Sequence, residues 1–316
     1  MLNSLIIRNF RALAELEVSK LGRVNLIVGK NNAGKSTVLE ALRIYAGRAN
    51  PALLDRIALA HDETRQDLFT GRRLPADDNP DHAIQIGPKA RATHPQAETV
   101  SIPPDPSTQQ VSPLPCGHVQ TRWMSMDELA DAWDRIVFTE HEDIVRRALK
   151  IITPEFENLT FVRIDDGRAD PLKQNMPPLR RSAKVKLANT PAPVALKSLG
   201  DGMLRILQIA LQLVEARGGF LLIDEFENGL HHSVQEKVWS LLFEMATQLD
   251  IQIFATTHSR DCIDSFSKAA LARQDVDGVL FRMGRSIRNS DRGRVIATVF
   301  DEEALHSITQ SDVEVR

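Results

Sequence analysis

The chain has 316 residues, 42% of them hydrophobic, enough to bury a core in one large α/β domain or two smaller ones. A formal charge of −3 and a pI near 6.3 exclude a globally basic nucleic-acid binder, so any such contact must use a local patch. Two cysteines, Cys116 and Cys262, far apart and without metal-ligand spacing, exclude a disulfide framework and a zinc site and read as inert thiols. The opening MLNSLIIRNFRA has too short an apolar run for a signal peptide, and no stretch reaches the roughly 18 apolar residues of a membrane span, so a cytoplasmic protein without membrane contact is expected.

Residues 2–28 alternate short apolar runs with a Leu21-Gly22 break and read as two or three strands. The last run, Val24 to Val28, leads into GKNNAGKST (29–37), which fits G-x-x-x-x-G-K-[ST] in full. Glycines let successive backbone N–H groups curl around phosphate oxygens, and the helix that follows adds its dipole. Gly29, Asn31, Asn32, Ala33, Gly34 and Thr37 would form the cradle, Lys35 would reach the β and γ phosphates of ATP, and Ser36 would hold Mg²⁺.

After a helix over 36–46, a helical pattern continues through Leu53, Leu54, Ile57 and Leu59. Residues 75–115 then hold nine of the sixteen prolines, with apolar islands only at 83–86 and 100–102. Proline removes donors and blocks helices, so a loop-rich insertion is expected, with two edge strands and mobile connections over 88–99 and 103–116. Helical spacing returns over 127–152, with Leu129, Trp133, Ile136, Val137, Ile144, Val145 and Leu149 facing a core. Trp123 and Trp133 read as packing residues, since 5% aromatics without basic interleaving make no base-stacking platform. ENLTFVRID (157–165) reads as a strand, and Lys173, Arg180, Arg181, Lys184 and Lys186 make a basic run.

KSLGDGMLR (197–205) opens a long amphipathic helix, and its Ser198, Gly200, Asp201 and Gly202 form a second anion-binding turn. GFLLIDE (219–225) is a buried parallel strand presenting acids at its C-terminal edge. Asp224 would hold Mg²⁺, and Glu225 would orient and deprotonate the attacking water. After a helix over 234–249, a strand over 251–256 ends in TTHS, where His258 is placed to contact the γ-phosphate or the water. FRMGRSIRNSDRGR (281–294) carries five arginines against one aspartate between apolar flanks and reads as a hairpin with a basic tip. Residues 301–316 read as a short helix and tail.

The phosphate loop, the SLGDG turn, the LLIDE strand, the ENGLH turn (227–231) and TTHS follow the order of the ABC-type ATPases. Their wording resembles the OLD, RecF and structural-maintenance branch, compact AAA-type ATPases of bacterial defence systems included. A transporter would carry LSGGQ and a DEPT-type turn. The resemblance implies an α/β P-loop ABC-type head: a mainly β N-terminal part, a central parallel or mixed sheet flanked by helices, and an inserted helical and loop-rich lobe. The divisions are 1–70 with the phosphate loop, 71–194 as insertion, and 195–316 with the signature turn, the acidic strand and the histidine. No TOPRIM nuclease constellation is visible. IIRNFRA resembles the opening of that branch, where an arginine approaches the nucleotide, making Arg11, or Arg8, a candidate. The motifs leave the Q-loop glutamine open, with Gln85 in AIQIG as candidate.

In this family the SLGDG turn of one subunit covers the nucleotide held by the other, so Ser198, Gly200 and Gly202 would act in trans in a homodimer closing around two ATP molecules. The resemblance implies an ATP-hydrolysing switch that controls a separate effector, a nuclease in anti-phage systems. A DNA-clamping repair ATPase using Arg282, Arg285, Arg288, Arg292 and Arg294, and a non-catalytic ATP-gated scaffold, are the rival readings.

Overall fold

Three short apolar runs at the N-terminus become strands β1 (Leu5–Phe10), β2 (Leu13–Val18) and β3 (Val24–Val28), followed by helices α1 (Lys35–Ala46) and α2 (Pro51–Leu59). The computed structural model describes residues 1–68, 83–89, 99–102, 112–163, 181–273, 275–286 and 294–300. The middle of the chain supplies β4 (Ile84–Gly87), β5 (Val100–Ile102), β6 (Cys116–Val119), α3 (Met126–Asp134), α4 (Glu142–Ile152), β7 (Phe156–Arg163), β8 (Arg181–Leu187) and β9 (Val194–Ala195). The last third is α5 (Asp201–Glu215), β10 (Phe220–Ile223), α6 (His232–Gln248), β11 (Gln252–Thr257), α7 (Arg260–Ala272), β12 (Gly278–Arg285) and β13 (Val295–Phe300).

The main sheet has the order β13-β12-β3-β11-β10-β6, parallel throughout except for β13, which returns antiparallel on β12 as the expected hairpin. Period-two alternation splits its residues between two cores. Leu26, Leu221, Ile223, Ile253 and Ala255 face one core, under α3 to α7. Ile27, Phe220, Leu222 and Phe254 face the other, shared with α1, α2 and the antiparallel sheet β2-β1-β4-β5. A sheet covered on both faces explains why β3, β10 and β11 are buried at every position, with FLLI of β10 wholly apolar. A third sheet, β7-β8-β9, is antiparallel.

The structure revises three expectations. Of the two strands expected in the proline-rich stretch, only β5 is an edge, because β4 lies between it and β1. The mobile connection expected to run up to Cys116 gives way there to β6, which pairs in parallel with β10 and borders the main sheet. Gln212 of α5 ties this border strand: its Oε1 accepts the His118 N–H at 2.8 Å, satisfying a donor that a sheet edge would leave open. Part of segment 71–194 is thus woven into both larger sheets. Helical spacing over 127–152 resolves into two helices, because the chain turns at Phe138, whose φ is 66°. The rest of the connections over 88–99 and 103–116, the 287–293 tip of the hairpin and the helix expected over 301–316 lie outside the described residues.

Candidate functional site

The C-terminal ends of β3, β10, β11 and β6 meet at one end of the main sheet, as their parallel register requires. From β3 the chain enters the phosphate loop. Gly29 has φ 148°, and a Cβ there would lie 2.4 Å from the Met283 carbonyl oxygen of β12, so the turn is closed to other residues. Gly34 takes φ 89° and starts α1. Lys35 is buried at 9% exposure, its ammonium folded back onto the carbonyls of Gly29 (2.8 Å) and Lys30 (3.1 Å). Burial lowers its pKa, while Asp224, Glu225 and Glu227 pull it upward. Lys30, Asn31, Asn32 and Ser36 are exposed, Ala33 is buried and Thr37 is half-buried, so the loop is open on its outer side.

Across the sheet, Ser36 Oγ donates to Asp224 Oδ1 at 3.1 Å and Thr256 Oγ1 donates to the same oxygen at 2.6 Å. Thr256 Oγ1 in turn accepts the Glu225 N–H at 2.9 Å. One hydroxyl therefore joins the acidic strand end to its neighbour, and a hydroxyl and a carboxylate stand where one hard cation could take both as oxygen ligands. Glu225 has φ 48°, a left-handed turn straight after β10. Below it lies Arg205 of α5, fully buried, donating to the carbonyls of Gln120, Asp224 and Glu225, each at 2.7 Å. Burial lowers its pKa to about 10, against the pull of Asp224, Glu227 and Glu225, so it stays charged at neutral pH.

His258 Nδ1 sits 3.1 Å from Glu227 Oε1 and 3.7 Å from Glu225 Oε1, and its own N–H also donates to Glu227 at 3.0 Å. Glu227 is largely buried while Glu225 and His258 face solvent, so the first anchors the ring between the carboxylates. The expected Lys35, Ser36, Asp224, Glu225 and His258 thus come together in one chain.

Other expected residues stand elsewhere. Ser198, Gly200 and Asp201 are exposed at the start of α5 and Gly202 is half-buried; the Ser198 hydroxyl donates only to Ala195 O, at 2.6 Å. Arg11 pairs with Glu40 and Glu63, each at 2.9 Å, and Arg8 with Glu15 at 3.0 Å. Gln85 is a correction: it lies on β4 in the antiparallel sheet, where its amide oxygen accepts from Arg8 at 3.3 Å, away from the strand ends. The glutamine at the site is Gln120, one residue beyond β6, whose Val119 carbonyl accepts the Asp224 N–H at 2.8 Å. Sequence reading also missed Thr256, Arg205 and the role of Glu227. A Thr-Thr-His run at a strand end and an arginine one turn into the glycine-led helix were the available signals.

Of the hairpin arginines, Arg294 is paired with Glu15, and Arg282 and Arg285 lie on β12, while Arg288 and Arg292 lie outside the described residues. In the basic run, Arg181 pairs with Asp131 and Asp134 and Lys186 with Glu157, while Lys173 and Arg180 are outside the described residues. Both thiols are free, and burial pushes the Cys116 pKa up to about 12 and that of Cys262 up as well. No helix among the described residues is long and apolar enough to cross a membrane.

Comparison with known proteins follows the same lines. The family described as "AAA ATPase domain" matches residues 1–81, and that described as "AAA domain, putative AbiEii toxin, Type IV TA system" matches residues 128–262. An "ATP/GTP phosphatase" of Helicobacter pylori is 21% identical over 84% of this chain and 87% of its own length. Two uncharacterized proteins of Methanocaldococcus jannaschii match in part. MJECL11 is 33% identical over 91 residues, 29% of this chain and 79% of that protein; MJECL10 is 49% identical over 45 residues, 14% of this chain and only 20% of that protein. Among solved structures, an Smc head bound to the C-winged helix domain of ScpA superposes with a TM-score of 0.56 at 13% identity, over 95% of this chain and 98% of the other. An Smc head with an extended coiled coil, bound to the C-terminal domain of ScpA derived from Pyrococcus furiosus, gives 0.54 at 11% identity, over 98% of each chain. These likenesses extend the P-loop ABC-type fold to nearly the whole chain. AAA domains match in both halves of that fold, and at 33% identity over 79% of its length MJECL11 shares a family with this chain.

Proposed function

We propose that the chain hydrolyses ATP with Mg²⁺ and works as a dimeric nucleotide switch for a separate effector. The observation that carries this reading is the convergence of Ser36, Asp224 and Thr256 across three strand ends, with Glu225 and His258 beside them. When bound, ATP supplies the reactive phosphoryl group and Mg²⁺ neutralises charge on its oxygens. The loop N–H groups from Gly29 to Thr37 and Lys35 hold phosphate oxygens, Lys35 by leaving the carbonyls it now contacts. Ser36 and Asp224 are the oxygen ligands for the cation, and Gln120 is the adjoining polar group on the β6 side. Glu225 takes the proton of the attacking water at its carboxylate, and His258, steadied by Glu227, hydrogen-bonds the phosphate or the water.

The open turn of Ser198, Gly200, Asp201 and Gly202 supports the dimeric half of the reading, because a partner's nucleotide would supply the anion that its free N–H groups lack. The match to a family whose description names a type IV toxin–antitoxin system supports a role in bacterial defence, with a nuclease as the fitting effector. The DNA-clamping reading has less support: Arg294, Arg181 and Lys186 already have carboxylate partners.

Glu225→Gln tests the switch. It keeps the shape of the side chain but removes the base, so turnover should fall by about 10²–10⁴-fold while ATP binding persists. Light scattering with ATP and Mg²⁺ should then report a dimer where the nucleotide-free protein is a monomer. Full turnover by this variant would remove Glu225 as the base, and unchanged function despite lost turnover would leave the scaffold reading standing.

A further inference from the structure

Beside β6 lies a cleft of about 600 Å³. Its floor is the face of β6 that carries Cys116 and His118, continued by Gln120. Its walls come from the last turn of α1, from α2, from α5 and from the loop before α3. Three guanidinium groups line it: Arg43, Arg56 and Arg122. Arg43 is half-buried and has no hydrogen bond or ion pair among the described residues, and burial together with Arg56 and Arg122 opposes its charge. The one carboxylate in the lining, Glu128, accepts the Ser125 N–H in the capping box of α3 and also pairs with Arg122 at 3.8 Å, which leaves Arg43 and Arg56 without a carboxylate in the lining. Burial, and then Arg43 and Arg122, keep His118 neutral, so it adds no fourth cation.

Arg56 and Arg122 are exposed and Glu128 balances only Arg122, so the half-buried Arg43 beside Arg56 is the charge that an anion in the cleft would offset. The volume is that of a nucleotide-sized pocket, and a planar guanidinium fork matches phosphate oxygens two at a time. The cleft also touches the nucleotide site. Arg122 Nε donates to Gln120 Oε1 at 2.5 Å, and the Gln120 carbonyl accepts from the same Arg205 that holds Asp224 and Glu225.

We propose that this cleft binds a phosphorylated small molecule of nucleotide size through Arg43, Arg56 and Arg122, and that the ligand changes ATP turnover by drawing Arg122 off Gln120. A phosphate outcompetes a neutral amide for the guanidinium, so binding frees the side-chain oxygen of Gln120, the residue whose backbone carbonyl shares Arg205 with Asp224 and Glu225. The coupling rests on the nucleotide-switch reading; the binding site does not.

Equilibrium dialysis of the full chain with inorganic pyrophosphate and with AMP tests the site. The unmodified protein should hold two equivalents of AMP, and Lys35→Ala should hold one. Adding Arg43→Gln and Arg56→Gln should weaken that remaining site by at least about tenfold per arginine. The exposed Arg122→Gln, a milder change, should weaken it in the same direction. Unchanged AMP affinity in the arginine variants overturns the proposal, as does complete loss of binding in Lys35→Ala alone, or an arginine-dependent site that takes a single-stranded DNA oligomer and neither small anion. Two equivalents retained by Lys35→Ala, one of them lost with the arginines, would instead sink the phosphate-loop reading and leave the cleft standing. AMP tighter than pyrophosphate marks a nucleoside-bearing ligand; equal affinity marks a bare phosphate, and both support the site. At saturating ATP, AMP should shift the turnover of the unmodified enzyme severalfold and leave that of Arg56→Gln, whose basal rate is unchanged, where it was. An unmoved rate in the unmodified enzyme overturns the coupling.

Discussion

Two helices of this protein begin after a glycine-led turn, and their surroundings differ. At the start of α1, Lys35 is buried, and Ser36 reaches across the sheet to Asp224, which Thr256 also holds. At the start of α5, among the described residues, no side chain caps the helix, no atom lies within 4 Å of where a Gly200 Cβ would stand, and the Ser198 hydroxyl bonds only within its own turn. Both ends carry unpaired N–H groups and the positive end of a helix dipole. The first has acquired its cation, its carboxylate and its hydroxyls from the same chain, and the second has acquired nothing. The difference is that one anion-binding turn is furnished from within the fold while the other is presented outward, which is the arrangement, a built half and an open half, that the proposed site between two copies would use.

The largest effect should come from the built half. Lys35→Ala removes the one buried ammonium that faces the loop, and nucleotide binding should be lost in a fluorescent ATP-analogue titration. Retained affinity would mean that the α1 start is not the nucleotide seat. Next comes the open half. Ser198→Arg fills the exposed turn without touching Lys35, so binding should survive and turnover should not. Mixing this variant with Lys35→Ala discriminates sharply, because half of the mixed dimers pair the two chains and each has one intact composite site. About a quarter of normal turnover should return, and none if each chain works alone.

What the sequence makes legible follows the same division between local and assembled features. The phosphate loop, the Asp224–Glu225 pair and His258 are local patterns at strand ends, and the fold brings them together as spacing suggests. Gln120 is invisible from sequence because its value depends on β6, a four-residue strand containing glycine that follows a proline-rich stretch and gains strand character only by pairing with β10. Gln85 looked better because AIQIG alternates as a strand does, and it is a strand, but in the other sheet. Arg205 reads as an ordinary polar residue in an amphipathic helix. Only the packing of α5 under the strand ends turns it inward onto three carbonyls.

That packing makes Arg205 the test of how firmly the built half is held. Arg205→Met keeps much of the volume but leaves the Gln120, Asp224 and Glu225 carbonyls without their donor. A buried acceptor left unpaired costs about 1–3 kcal/mol, so a loss of about 3 kcal/mol or more is expected in urea unfolding, with turnover lowered alongside. A stability change below about 1 kcal/mol would mean that water replaces the guanidinium and that the acidic strand end is wetter than its geometry suggests.

The smallest effect lies at the border of the built half, where β6 ends the sheet. Burial, and then the charges of Arg43 and Arg122, lower the His118 pKa to about 3, while an unfolded histidine titrates near 6.5. Below that unfolded value the denatured chain takes up a proton that the folded chain refuses, so this position favours the fold at neutral pH and loses that advantage steadily as pH falls from about 6.5 toward 3. At pH 5 the difference amounts to at most about 2 kcal/mol, less whatever solvent in the adjoining cleft screens. His118→Gln cannot titrate, and Gln212 still accepts the backbone N–H of residue 118. The variant should therefore gain up to about 2 kcal/mol of stability relative to the unmodified protein between pH 7.5 and pH 5 in urea unfolding. Parallel pH profiles for the two proteins would show that the ring charges freely in the folded state, and that the dry, assembled half of the molecule stops at β10 instead of reaching the sheet edge.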